Sequence, residues 1–392
     1  MGLRTGRHAR QGTVRPTNRM QSRIKQFHLS KQAISILLIL VGLVGIGIIM
    51  IYSSSTIYAE RYLDNRYYFV ARQLLHLAIG LLLLLPAIQY DYSHYKRLIP
   101  FFMAVALALM VLVLIPGIGN RVGHARRWIR FLGIGIQPAE VLKFTLIVWF
   151  AGFLEKKRMV LNHFSEGLLP GLTVIALFCF LLLLQPDFGT SILIALTLLI
   201  MLFVAGVKPI HIFGSFLGLL AVCIVLVISK TYRVKRITAF LNPWADPLDT
   251  GFQLIQSLVA VGTGGLFGRN LGNSRQKLFF LPEGHTDFIF SILAEEAGFA
   301  GVAIVLGLLL GLMVKGFQVA LRCHDEFGRN LAFGITTLII LQSFLNISVV
   351  IGLLPTKGIP LPFISYGGSS LVTNIYMVGV LINISKRQTG PP

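Results

Sequence analysis

Runs of about 20 apolar residues recur along almost the whole chain, and each is long enough to cross the hydrocarbon core of a bilayer as a helix. Backbone polar groups in lipid must be satisfied within their own segment, so such runs leave few alternatives to helices. With 55% apolar and 13% charged residues and a mean hydropathy of +0.76, a soluble globular domain is excluded. The expected fold is an all-α polytopic membrane protein of about ten spans, near 33–53, 68–89, 97–117, 138–154, 168–185, 188–206, 209–229, 287–318, 330–354 and 364–386. Residues 1–32 hold eight Lys or Arg and no acid, and read as a disordered cytoplasmic tail drawn to anionic lipid. The run that follows is too long for a signal-peptide core and is read as the first span. Residues 33–388 then form one membrane domain, with 389–392 a short tail.

The net charge of +20 suggests nucleic acid, but the cations are scattered over short loops between spans and first report topology. With both termini in the cytoplasm, inward segments carry 19 basic residues and the short outward loops seven: Arg61, Arg66, Arg121, Arg126, Arg127, Arg130 and Lys357. That asymmetry sets the orientation. The segment 230–286, between spans 7 and 8, faces outward and is far longer than any other connection, a length associated with function or disorder. Three cysteines and nine histidines offer no disulfide framework and no metal-ligand spacing. Gly264-Gly-Leu-Phe-Gly268 is no nucleotide loop, having no Lys-Ser/Thr ending and no strand before it.

The chemistry concentrates between Leu278 and Phe299, where an aromatic, Pro-containing loop enters an apolar helix. Asp287, preceded by His285 and Thr286, is the lone carboxylate where the long loop meets the membrane. Partial desolvation raises such a carboxyl toward the range of a general base; a helix N-cap is the plainer alternative. Glu295 and Glu296 lie about 12 Å further along the helix and read as structural polar contacts. Glu140 and Lys143, three apart in the fourth span, are spaced for an ion pair that lines or orients a cavity. Arg126, Arg127 and Arg130 around Trp128 read as a grip on phosphate or as an interfacial anchor. Arg233, Lys235, Arg236, Arg275, Lys277 and Lys357 add to an outer positive field, and the Gly/Pro-rich turn 357–370, with Ser365, frees backbone N–H groups for an anion.

Several motifs together resemble the SEDS family of bacterial cell-wall proteins over residues 33–388. They are Arg126-Arg-Trp-Ile129, Gln137-Pro-Ala-Glu140 with Lys143, Gln185-Pro-Asp-Phe-Gly-Thr190, Pro282-Glu-Gly-His-Thr-Asp-Phe-Ile-Phe290 with Glu295-Glu296, and Pro360-Leu-Pro-Phe-Ile-Ser-Tyr-Gly-Gly-Ser-Ser370. Gln256-Ser257, Gly272–Lys277 and Pro355–Gly358 resemble division-type rather than elongation-type members. Ala139 stands where the family usually has Ser, and His124 where Gly is common.

The resemblance implies a peptidoglycan glycosyltransferase that polymerises lipid II on the outer face of the cytoplasmic membrane, at the division septum. It implies Asp287 as catalytic carboxylate, Trp128 as a site residue, Glu140 and Lys143 as the cavity pair and Lys357 as an outer-cavity residue. Arg126, Arg127, Arg130, His285, Thr286, Lys277 and Ser365 are the further substrate contacts expected, with Asp187 a structural polar group. The motifs demand no cofactor and no metal, and leave room for a divalent cation. Lipid II, a class B penicillin-binding transpeptidase and other divisome membrane proteins are the implied partners. A lipid II flippase, an elongation- or sporulation-type polymerase of the same family and a non-catalytic scaffold for that transpeptidase are the alternatives; a vesicle assay separating translocation from polymerisation discriminates the first.

Overall fold

The computed structural model describes residues 30–387 except 123, 124, 132 and 279, so most of the basic tail, His124 and the C-terminal tail lie outside the described residues. Every expected span is a helix. These are α1 (Lys31–Leu63), α2 (Tyr68–Gln89), α3 (Ser93–Leu112), α4 (Pro138–Lys157), α5 (Leu169–Leu184), α6 (Phe188–Val204), α7 (Pro209–Ile228), and then, beyond α8 (Thr231–Leu241) and α9 (Phe252–Thr263), α10 (Ile289–Arg322), α11 (Glu326–Val350) and α12 (Gly368–Arg387). Eight of the ten are long and apolar enough to cross a bilayer. The other two depart for visible reasons: α6 has only 17 residues, and α4 carries Glu140, Lys143 and Glu155 along its length.

Burial follows from sequence. A helix apolar all round belongs inside, and α4 is apolar on opposite faces. Phe144, Ile147, Val148 and Ala151 join the larger core cluster with α1, α2, α10, α11 and α12. Leu142, Leu146, Phe150 and Leu154 join the second, with α3, α5 and α6. So α4 is a wall shared by two halves. In contrast α7 buries no residue in the protein.

Loops at one end of the bundle tie to one another, as described below. The opposite end is rimmed by ion pairs, Lys96–Glu155 at 2.7 Å, Arg387–Asp91 at 2.6 Å and Arg158–Glu326, whose exposed cations make each worth little.

Two departures concern the all-α expectation and the single span from 287. Residues 119–136 form an antiparallel sheet, β1 (Gly119–Val122), β2 (Ala125–Phe131) and β3 (Ile134–Ile136), in spatial order β1-β2-β3; Asn120 pairs with Trp128 and Arg130 with Gly135. And α10 is broken at Gly298, whose φ of 63° lies in the left-handed region. The break exposes N–H groups that donate into the long loop, Phe299 to the Gly265 carbonyl at 2.9 Å and Ala300 to that of Leu266 at 3.0 Å. A Cβ on Gly298 would collide with the backbone of Phe267 and Gly268, so loop and break form together.

Candidate active site

Asp287 sits on a turn just ahead of α10. Glu283, at φ 56°, starts this turn: its carbonyl accepts from the N–H groups of Thr286 at 3.1 Å and Phe288 at 3.3 Å, and its carboxylate accepts from the Thr286 hydroxyl at 2.8 Å. The helix cap is Phe288, with no side-chain hydrogen bond, so Asp287 does not take up the N-cap role. Among the described residues none hydrogen-bonds the Asp287 carboxylate.

Its backbone, by contrast, is held tightly. Asn346 of α11 donates from one Nδ2 to the carbonyls of Asp287 and Ile359, each at 2.8 Å. Ser365 donates to the Thr286 carbonyl at 2.6 Å and accepts from the Leu361 N–H at 2.8 Å, and Tyr366 N–H donates to the His285 carbonyl at 3.0 Å. The 285–287 segment is thereby laid along 359–366, and a Cβ on Gly358 would stand 3.3 Å from Asp287 Oδ2. Glycine there lets backbone approach the acid.

Cations arrive from three other segments. Arg127 donates from Nε to the Gln185 carbonyl at 3.2 Å, from Nη2 to that of Pro186, and lies 3.9 Å from Asp187. Asp187 in turn caps α6, accepting from Thr190 N–H at 3.3 Å and Thr190 hydroxyl at 2.9 Å. The Phe188 ring that follows lies under both Arg233, at 5.5 Å, and Lys357, at 6.0 Å. Burial, with Glu283 adding, pushes the Asp287 carboxyl up to about 7, while Arg127 and Arg236 pull it down and Asp187 pushes it up. Burial also lowers Lys357 and His285. The His285 ring packs on Phe69, Tyr58 and Tyr366 at centroid distances of 4.5, 5.7 and 5.9 Å.

The Glu140–Lys143 pair is 2.7 Å apart and almost fully buried. Lys143 donates to Gln342 Oε1 at 2.8 Å, and Gln342 Nε2 donates to the Pro360 carbonyl at 2.8 Å. The pair therefore reaches the loop beside Asp287 through one amide. Its position orients that loop.

The other expected contacts divide. Alternation along β2 places Arg127 on one face and Arg126, Trp128 and Arg130 on the other. The expected three-guanidinium grip is split: Arg126 donates to the Leu114 carbonyl at 3.4 Å, Trp128 covers Gly135, and Arg130 is exposed. Lys277, expected at substrate, instead pairs with Glu296 at 3.2 Å and its side chain is 7% exposed. It closes a structural anchor in which Glu296 accepts from Ser53 at 2.7 Å and Ser274 N–H at 3.3 Å, and Glu295 accepts from the Ser274 hydroxyl and Arg275 N–H. Asn346 and Gln342 were not among the expected residues, whereas Arg236 was expected only as part of the outer positive field and Gly358 only within the Gly/Pro-rich turn. For the two amides a signal existed, since a buried amide in an apolar helix needs a partner. No three His, Cys, Asp or Glu side chains gather as metal ligands among the described residues.

Fold and site together define a polytopic membrane protein with, at one end, loops tied around one buried acid and several cations. The FtsW/RodA/SpoVE sequence profile, described as cell cycle protein, matches residues 34–390. Similar proteins include a probable peptidoglycan glycosyltransferase FtsW of Geobacter metallireducens, 44% identical over 91% of this chain and 95% of its own. Another is stage V sporulation protein E of Bacillus subtilis, 44% identical over 88% and 94%. Among solved structures, a chain from a peptidoglycan synthase complex coordinating polymerization and crosslinking is 28% identical over 91% of this chain and 98% of that one, with a TM-score of 0.72. The rod shape determining protein RodA of Thermus thermophilus is 26% identical over 91% and 97%, at 0.67. The chain belongs to the SEDS family of FtsW, RodA and SpoVE proteins.

Proposed function

We propose that the chain is a peptidoglycan glycosyltransferase that polymerises lipid II during cell division, with Asp287 as general base. The observation carrying the site assignment is a buried carboxyl with no hydrogen-bond partner among the described residues, where a backbone lacking Cβ leaves it room, and which burial pushes up to about 7. In the reaction Asp287 takes the proton of the GlcNAc 4-hydroxyl. That oxygen bonds to the anomeric carbon of the second lipid-linked chain as the bond to diphosphate breaks, and undecaprenyl diphosphate leaves. One carboxylate acting as base fits single displacement with inversion; retaining chemistry uses two close carboxylates.

Arg127, Arg233, Arg236 and Lys357 supply the positive rim that stabilises charge on the departing diphosphate. An arriving diphosphate also reverses the effect of burial on Lys357, favouring its charged form. Asn346, Ser365 and the Glu140–Lys143–Gln342 relay are positioning groups. The orientation follows the positive-inside asymmetry, which puts the cleft outside at the septal membrane. A class B penicillin-binding transpeptidase and other divisome proteins are its proposed partners.

Polymerisation of purified lipid II by Asp287→Asn tests the assignment. Glycan formation is expected to fall at least about a thousandfold, the upper part of what a general base contributes; full activity would remove Asp287 from the mechanism.

A further inference from the structure

Phe69, Arg72, Gln73 and His76 follow the i, i+3, i+4, i+7 spacing that puts residues on one face of a helix, and this face of α2 meets the segments that hold Asp287. Phe69 packs on the rings of His285 at 4.5 Å and Tyr366 at 5.0 Å. Gln73 Nε2 donates to the Ser365 carbonyl at 3.4 Å, and a Cβ on Gly368 would collide with the His76 ring. Arg72 donates to the Tyr366 hydroxyl, and its guanidinium lies 4.5 Å from the centre of the Tyr68 ring. Tyr366 is in turn 5.9 Å from the ring of His285, two residues before Asp287.

Arg72 is the member of this face that its neighbours do not satisfy. Among the described residues no carboxylate pairs with it. It is exposed, and Leu75 and Leu82 on the same side of α2 are exposed as well, so this side faces lipid. The 22 residues of α2 span about 33 Å, close to the ~30 Å hydrocarbon core. Arg72, four residues in, therefore stands about 6 Å below the start of the helix, where hydrocarbon gives way to headgroup phosphates. A cation without a partner at that depth is costly and calls for an anion. A simple interfacial anchor snorkels outward; this guanidinium is instead fixed between Tyr68 and Tyr366.

The reaction joins two lipid-linked molecules, each carried on its own diphosphate. One diphosphate departs from the reacting anomeric carbon, beside the cations Arg127 and Arg236 whose charges reach Asp287. The other stays on the molecule whose GlcNAc 4-hydroxyl meets Asp287, a disaccharide away from that hydroxyl and in the headgroup plane. We infer that Arg72 and the Tyr366 hydroxyl bind this second diphosphate, the one the acceptor retains. The guanidinium offers paired donors to phosphate oxygens, and the Tyr366 hydroxyl, accepting from Arg72, keeps its own proton for another. The lipid-facing side of α2 leaves the acceptor's tail in the bilayer. This rests on the glycosyltransferase reading above.

The test uses the full chain with its transpeptidase partner in nanodiscs of neutral lipid. A donor blocked at its GlcNAc 4-hydroxyl, which can transfer but not accept, is held fixed while the acceptor is varied. The acceptor is either lipid II or the same disaccharide peptide joined to its lipid by an uncharged ether, and only product bearing the blocked sugar is counted. In the parent, lipid II is expected to show a KM about tenfold below that of the ether, the worth of one charged hydrogen-bonded contact. Arg72→Gln is expected to erase the difference by raising KM for lipid II alone, with kcat and the KM for the blocked donor retained. Arg72→Lys, which keeps the charge but not the paired donors, should fall between. Equal KM values for the two acceptors in the parent overturn the inference, as does a preference that survives Arg72→Gln. A raised KM for the donor instead would assign Arg72 to the departing diphosphate and overturn it too. Repeating the series with phosphatidylglycerol in the discs separates substrate from ordinary phospholipid: if the loss in Arg72→Gln depends on phosphatidylglycerol and touches both acceptors alike, Arg72 holds a bulk headgroup and the inference falls. If the parent transfers sugar to neither acceptor, the glycosyltransferase reading fails and the inference with it; transfer without preference sinks the inference alone.

Discussion

At the scale of single residues, two acids one turn apart set the pH range of the site. As the proposed base, Asp287 works only when ionised, so the rate is expected to rise with pH through a midpoint near 7. Glu283 raises that carboxyl by its charge and Arg236 lowers it. Glu283→Gln should therefore move the midpoint of the pH–rate profile to lower pH, and Arg236→Gln to higher pH; no movement in either would mean another group controls the profile. The same shift has a thermodynamic side. With its folded value near 7 against 3.8 for the free group, Asp287 costs stability increasingly as pH rises between those values, and the cost is complete above 7. Asp287→Asn, though inactive, is expected to melt higher than the parent at pH 8 and equally at pH 3. The position of Asp287 was legible because the long polar loop meets an apolar helix there. Asn346 and Gln342 were harder, because nothing local in α11 says which distant carbonyls its amides will meet.

Elements show where reading by periodicity gives out. The ten helices follow from apolar runs that only a helix can satisfy in lipid. The sheet does not, because Arg126-Arg-Trp-Ile-Arg130 is rich in charge and its period of two signifies little without strands to pair. Lys277 likewise looked free: its partner Glu296 is remote in sequence and becomes a neighbour only when the loop folds over the break in α10. That break yields the element-scale prediction. Gly298→Ala places a Cβ against the Phe267–Gly268 backbone at a positive φ, and is expected to cost about 2–3 kcal/mol or more. The measurement is the thermal midpoint, with earlier proteolysis of the 264–277 loop; a wild-type melting curve would show that the loop does not depend on the break.

Across the whole molecule, α4 joins two apolar halves and carries the buried ion pair Glu140–Lys143 at their boundary. Removing one partner leaves an uncompensated charge in a dry interior. Lys143→Met alone should cost about 3–5 kcal/mol, whereas Glu140→Gln with Lys143→Met together should cost markedly less. Thermal midpoints of the two variants settle the comparison, and equal losses would mean that the pair contributes something besides charge balance. A last consequence comes from Gly298. By dividing α10, it gives the reactive turn its own short rod, Ile289–Ala297, fastened to the long loop, separate from the rod that crosses the lipid. The same loop grips both rods, through Glu295 and Glu296 on one side and the Phe299 and Ala300 N–H groups on the other, so a tilt that a thicker or thinner bilayer imposes on the crossing rod is passed on to the turn that carries Asp287.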